Sequence, residues 1–182
     1  MLGLRLVPLL VDAGHDVVGM TRTPAKADDL AALGAVPVVC DVFDLDRLCA
    51  VVVEATPDLI LHELTDLPDE QARIPEVGGR NVRMRTEGTD NLLTAMRAAG
   101  AERLIAQSVA WKVSEAGMAA VDHLEQAVIA AHGTVLRYGQ LYGSGTYFSD
   151  RVPDEPRVSL DRAAMRTVEA IDLPSGIYTI TD

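Results

Sequence analysis

The residues able to move protons are few and widely spaced. A tyrosine four residues before a lysine on a helix makes a proton-transfer pair, because both side chains share one face and the ammonium lowers the phenol pKa. The two lysines are Lys26 and Lys112, and the earliest tyrosine is Tyr138, so no such pair exists. Tyr147 and Arg151 have the spacing, but glycine-rich and polar flanks argue against a helix there. Tyr138 or Tyr142 could act as an acid with Lys112 or Arg137 nearby; the alternative is packing and hydrogen bonding within their own loop. His62 is either a base or a structural histidine at a strand end. Ser108 with His62 suggests hydrolysis, yet no Gly-x-Ser-x-Gly turn surrounds Ser108 and no third member is visible. His123 and His132 do not make a metal site, and Cys40 and Cys49 read as small buried hydrophobes rather than ligands or a disulfide framework.

The chain around these residues has 182 positions, enough for one domain with a substantial core. A formal charge of −11 disfavours nucleic acid, whose phosphates need a basic surface. No apolar run approaches the roughly 18 residues of a membrane span. A leader of basic segment, apolar core and cleavage site is not recognisable either, so the reading expects a cytoplasmic domain with no membrane partner.

Helical and strand patterns alternate with short connections, the mark of a parallel sheet covered by helices. Leu6, Val7, Leu10 and Val11 predict a first helix ended by Gly14, in which Pro8 implies a kink or a late start. A strand follows over 16–21. Thr23, Pro24 and Gly34 frame a second helix. Strands are predicted at 36–40, 59–62, 103–107, 134–138 and 177–181. Asp44 should cap a helix running through Val53. Residues 65–79 read as a long acidic surface loop, followed by one helix over 80–99 ended by Gly100. Further helices are expected at 114–131 and 160–171, with irregular chain between Thr146 and Pro156.

A helix, a glycine turn, an apolar strand and then Thr21-Arg22 is the second half of a dinucleotide-binding βαβ unit. Thr21, Arg22, Asp41, His62 and Ser108 all fall at predicted C-terminal strand ends, where ligands sit in open parallel sheets. Arginine after the second strand of such a fold suits a ribose 2′-phosphate, which favours NADP over NAD. Alternatively, Arg22 is a solvated residue and Asp41 a turn or capping aspartate.

With these elements placed, the chain resembles the extended or atypical short-chain dehydrogenase/reductase family, the NAD-dependent epimerase/dehydratases. Gly3 through Val7 is similar to the last glycine of a GxxGxxG turn and its helix. Cys40-Asp41-Val42 resembles the strand-end aspartate near the adenine, and Leu59 through Leu64 the fourth strand running over the cofactor. Glu87 through Leu93 resembles the xGTxNLL helix, and Leu136 through Thr146 the LRxxxxYGPGT segment at the substrate end. The resemblance implies a Rossmann-like doubly wound sheet, lacking its usual first strand and most of its glycine turn, and hence an N-terminally shortened form. It implies one domain over 1–182, with a reduced substrate segment at about 139–182.

By the same resemblance, Gly3, Thr21, Arg22, Asp41, Val42, Leu64, Ser108 and Tyr138 would contact NAD or NADP. Arg137 and Tyr142 would face substrate, and Ser108 and Tyr142 are the candidate catalytic residues. The substrate would be a small molecule, a sugar nucleotide among the candidates, and a homodimer is one assembly the family allows. The departure lies in the catalytic helix: aligned on Glu125, Gly117 and Val121 occupy the tyrosine and lysine positions. Two functional expectations follow: an NAD(P)-dependent oxidoreductase or epimerase, or a non-catalytic NAD(P)-binding sensor.

Overall fold

A computed structural model describes every residue from Met1 to Asp182. Helix α1 (Leu2–Asp12) turns at Gly14, whose positive φ of 89° suits glycine, into strand β1 (Val18–Thr21). Pro8 lies inside α1, which starts at Leu2, so of the two readings of the proline the late start does not hold. Apolar packing of Leu2, Leu6 and Leu10 keeps the turn before the proline helical. A 3₁₀ turn and α2 (Ala27–Ala32) lead to β2 (Val36–Val39), and α3 (Leu45–Ala55) starts where Asp44 accepts the Arg47 N–H at 3.1 Å.

Strand β3 (Leu59–His62) is followed by a loop shorter than the acidic composition predicts. Helix α4 (Ile74–Arg83) starts with Pro75 in its first turn, where a missing N–H costs nothing, and passes through Gly78 and Gly79. One π-helical turn, Met84–Gly88, joins it to α5 (Thr89–Ala99), so the helix predicted over 80–99 is longer and carries a bulge. Strand β4 (Arg103–Val109) runs two residues further than expected, which puts Ser108 inside it. Helix α6 (Glu115–Ala130) is capped by Ser114 accepting from Gly117 N–H. The chain then forms β5 (Thr134–Tyr138), β6 (Gln140–Tyr142), β7 (Arg157–Ser159), α7 (Leu160–Glu169) and β8 (Gly176–Ile180). Strand β6 replaces a predicted loop, because β7 arrives from the irregular segment to pair with it.

The fold is an α/β, Rossmann-like parallel array in two main pieces. Strands β1 and β2 pair with each other, and β3-β4-β5-β8 form a four-stranded parallel sheet. No ladder joins β1 to β3, so the parallel array is interrupted between them. Side chains bridge it. Leu2, Leu6 and Leu10 of α1 pack with Ile105, Leu136 and Tyr138 of the large sheet, while Val7 packs with Leu30 and Ala35 beside the small one. On the other face α3, α5 and α6 bury Leu48, Leu92, Met96, Leu124 and Val128 against Leu104 and Ala106. Helices therefore cover both faces, and the C-terminal ends of the parallel strands stay open to the loops.

Candidate cofactor and substrate site

Because α1 turns tightly into β1, it runs antiparallel to the strands, and its N-terminus lies at their C-terminal edge. Met1 offers no side-chain cap to the first turn, and a Cβ added at Gly3 would meet nothing within 4 Å. The first-turn N–H groups are thus open to an acceptor from outside the helix.

At the end of β1, the Thr21 hydroxyl accepts from the Thr23 N–H at 3.1 Å. Arg22 does not extend freely into solvent. It grips Asp66 with both terminal nitrogens, Nη1 to Oδ2 at 3.1 Å and Nη2 to Oδ1 at 3.0 Å, and Arg80 Nη2 reaches Oδ1 at 2.5 Å. The Asp66 backbone N–H donates to the buried Asn81 side chain at 3.0 Å. Arg80's hydrogen bond, opposed by burial and aided by Arg22, holds the Asp66 carboxyl below its usual range. Two half-exposed guanidiniums share one carboxylate, so the cluster keeps a net positive charge at this edge.

The loop after β2 is held from the helix beyond the π turn. Asp41 Oδ1 accepts from the Phe43 N–H at 3.0 Å, Asn91 donates to the Val42 carbonyl at 2.9 Å, and Arg83 stacks over Phe43 at 3.8 Å. The turn reading of Asp41 describes its contacts, and Val42 is buried beneath it.

His62 is a link, and the structure removes it from the candidate bases. Its Nδ1 accepts the Leu64 N–H at 3.3 Å, so Nε2 carries the proton and donates to Thr89 Oγ1 at 3.0 Å. Thr89 in turn donates to the Arg85 carbonyl at 2.7 Å. Burial, helped by Arg85, lowers the His62 pKa to about 4, so the ring is neutral with both nitrogens engaged.

Ser108 is also buried. Its hydroxyl donates to Glu125 Oε1 at 2.6 Å, and Arg137 donates to the same carboxylate through Nε at 2.8 Å and Nη2 at 2.5 Å. Burial acts to raise the Glu125 pKa, but the hydrogen bonds from Arg137 and Ser108 outweigh it and hold the group ionised. The proposed catalytic serine and the proposed substrate arginine thus meet through a glutamate used in sequence only as an alignment mark. Along α6, Gly117 and Val121 are buried, and a Cβ at Gly117 would lie 2.7 Å from Val113 Cγ2.

The tyrosines have separate partners. Tyr138 is buried, its hydroxyl 2.6 Å from Thr167 Oγ1, and burial with Glu63 nearby raises its pKa well above normal. Tyr142 donates to Asp182 Oδ2 at 2.8 Å, a bond that raises its pKa. Tyr147 donates to the Pro68 carbonyl and so ties the segment after β6 to the loop after β3. No tyrosine is brought to a lysine. A cleft of about 300 Å³ lies at the opposite end of the strands, between Arg103, Thr134 and Ser175, away from all these groups.

Comparison with known proteins places this geometry. Residues 1–138 match the NAD(P)H-binding family along most of the chain. The chain belongs to that family. It is 34% identical over 173 residues to a 3-diazoavenalumate denitrifying reductase from Streptomyces, covering 82% of this chain and 56% of that protein. The chain therefore spans little more than half the length of this curated relative. Its fold matches the UDP-glucose 4-epimerase of Thermus thermophilus in complex with NAD, with a TM-score of 0.80 at 16% identity, over 100% of this chain and 74% of that one. The UDP-glucose 4-epimerase of Thermotoga maritima with UDP-glucose gives 0.81 at 15%, with the same coverage. The epimerase-type Rossmann reading of the sequence agrees with both.

The residues present fit a nicotinamide dinucleotide. The uncapped start of α1, with open space at Gly3, suits a diphosphate, which helix N-termini attract. The Arg22 and Arg80 guanidiniums keep net positive charge at the neighbouring edge, which suits an anionic group. Sequence reasoning missed Asp66, Arg80, Asn81 and Glu63. The first three contact residues far apart in sequence, and the signal available was an aspartate in an acidic loop followed by three arginines at 73, 80 and 83.

Proposed function

We propose that this chain is an NAD(P)H-dependent reductase of a small molecule whose reduction needs no tyrosine acid from the protein. The observation that carries the reading is the absence of any tyrosine–lysine pair in a dinucleotide-binding family member. Epimerisation at a sugar carbon, or reduction of a carbonyl, needs a proton taken or given at an oxygen. A cationic acceptor such as an aryl diazonium needs only hydride: a C–H bond forms, the C–N bond breaks, and its electron pair leaves with N₂. The reduced nicotinamide, when bound, supplies that hydride. The name of the Streptomyces relative, a denitrifying reductase of a diazo compound, supports this substrate class.

In this reading Arg22 and Arg80 orient the adenosine end and favour NADP, while Gly3 and the first turn of α1 receive the diphosphate. The loops ending at Leu64 and Val42 flank the dinucleotide. Arg137, half-exposed and fixed by Glu125, and Tyr142 line the substrate end with the segment at 139–182. Ser108 positions this wall through Glu125 and holds no reacting atom.

The engagement of Ser108, Tyr138 and Tyr142 by other side chains favours a second reading, a non-catalytic NAD(P)-binding sensor. Mixing the chain with NADPH or NADH and aryl diazonium, carbonyl and sugar-nucleotide substrates separates the two. The reductase reading expects cofactor oxidation with N₂ release from the diazonium alone. Binding with no turnover on any substrate leaves the sensor, and turnover of sugar nucleotides would displace both.

A further inference from the structure

Arg85 is the only arginine or lysine buried in the fold, with 9% of its surface exposed. It stands on the π-helical turn that joins α4 to α5, an irregularity that helices often keep at functional sites. Thr89, one turn later on the same face, fixes where that face looks. Its hydroxyl donates to the Arg85 carbonyl at 2.7 Å and lies 3.0 Å from His62 Nε2 at the end of β3. Helix α6 also packs against the π turn, so Arg85 is enclosed between the end of β3 and α6 at the C-terminal edge of the sheet. Arg85 is bonded only through its carbonyl, and its guanidinium donates to nothing in the protein. The buried side-chain atoms that are both unpartnered and closed off from solvent belong to Glu63 alone, so the Arg85 nitrogens open onto accessible space.

The protein supplies no acceptor because the one carboxylate that attracts Arg85 is committed elsewhere. Glu125 Oε1 takes Ser108 and Arg137 Nε, and Oε2 takes Arg137 Nη2. Two guanidiniums thus face one carboxylate, and the wall keeps an excess positive charge. Val121 and Gly117, buried one and two turns before Glu125 on α6, bring no polar side-chain atom. A buried cation is costly until an anion meets it, and burial already lowers the Arg85 pKa. A guanidinium with every N–H free presents a planar fork that takes both oxygens of a carboxylate. The diphosphate has its own place at the first turn of α1, whereas Arg85 shares its wall with Ser108 and Arg137. A diazonium cation alone is repelled there; one that also carries a carboxylate is neutral overall and brings the missing counter-charge.

We propose that Arg85 receives a carboxylate carried by the substrate, so that the chain reduces zwitterionic diazonium carboxylates in preference to diazonium cations alone. This rests on the NAD(P)H-dependent reductase reading above and names the substrate class of that same site.

Benzoate and benzamide, titrated by calorimetry against the native chain with saturating NADP⁺, isolate the carboxylate contact from turnover. Benzoate is expected to bind about ten- to a hundredfold more tightly, the difference a two-point charged hydrogen bond makes. Arg85→Met should erase that preference and Arg85→Lys should restore part of it, which an arginine of purely structural role would not do. In assays with NADPH, kcat/KM of the native chain should favour para-carboxybenzenediazonium over its carboxamide analogue in the same direction. Equal binding of benzoate and benzamide by the native chain, a readout that needs no variant, overturns the Arg85 site. A fall in NADPH affinity in Arg85→Met with the benzoate preference intact also overturns it, giving the guanidinium to the cofactor. If the benzoate preference holds but neither diazonium salt releases N₂, the reductase reading fails and the carboxylate site stands.

Discussion

Arg137 on β5 and Glu125 on α6 meet in a two-point ion pair, with the carboxylate buried and the guanidinium half-exposed. The same carboxylate takes the Ser108 hydroxyl, so one group ties β4, β5 and α6 together. Replacing Glu125 by alanine leaves Ser108 unsatisfied and Arg137 without its anchor. The expected cost is about 2 kcal/mol in chemical denaturation, a value discounted for the solvent around Arg137. The pair also has a pH signature. The folded carboxyl sits below its unfolded value, so its contribution is complete above about pH 5 and fades as pH falls through the folded pKa. Glu125→Gln should flatten that part of the acid limb.

His62 adds an acid sensitivity of the same sign, from a base kept neutral rather than an acid kept ionised. With a folded pKa of about 4, it binds a proton in the unfolded chain but not in the folded one between pH 6.5 and 4. Stability should rise with pH across that window, amounting to about 3 kcal/mol lost on full acidification through it. Denaturation midpoints of the native chain and His62→Gln, measured from pH 4 to 7, should converge at the acid end. Parallel curves for the two proteins would contradict the buried neutral histidine.

Arg22 is held by Asp66 at the edge where the adenosine ribose is expected. Arg22→Ala should weaken NADPH binding about tenfold, with a smaller loss for NADH, because the guanidinium meets a phosphate only in the former. Equal losses for both cofactors in a direct titration would remove Arg22 from 2′-phosphate recognition.

Gly139 separates β5 from β6 and lies against the β7 backbone. A Cβ there would stand 2.5 Å from the Arg157 carbonyl carbon and 2.6 Å from its Cα and N, all rigid main-chain atoms. Gly139→Ala should cost about 2–3 kcal/mol. The β6–β7 pairing should suffer first, which loss of amide protection at residues 140–142 and 157–159 would report.

The order of helices and strands was legible because each carries its own punctuation. Asp44, Ser114 and Gly100 stand where the caps form, and Leu59–His62 and Thr134–Tyr138 match their strands to the residue. Errors arose where long-range pairing overrides local chemistry. Gly78 and Gly79 read as loop, yet they sit in a helix that Pro75 starts. Gln140–Tyr142 is a strand only because residues 157–159 reach it. The candidate site was legible as positions and not as contacts. That Arg22 would meet Asp66, or Ser108 meet Arg137 through Glu125, depends on residues 12 to 44 apart brought together by strand order. Composition and spacing carry no record of such pairings.

The break between β1 and β3 has a consequence for how the molecule comes apart. Main-chain hydrogen bonds propagate rigidity within β1–β2 and within the four-stranded sheet, but none passes from one to the other. Side chains transmit order across that line: the α1 and core apolar contacts, the Arg22–Asp66 pair and the Asn91 bond to the Val42 carbonyl. Isotope exchange should therefore sort the amides into two populations, with β1 and β2 opening at lower free energy than β4 and β5 at the centre of the larger sheet. Arg22 at the tip of β1 would loosen with the first population, and Ser108 would stay with the second. A ligand touching both sides would act as the missing fastener, merging the two exchange populations into one.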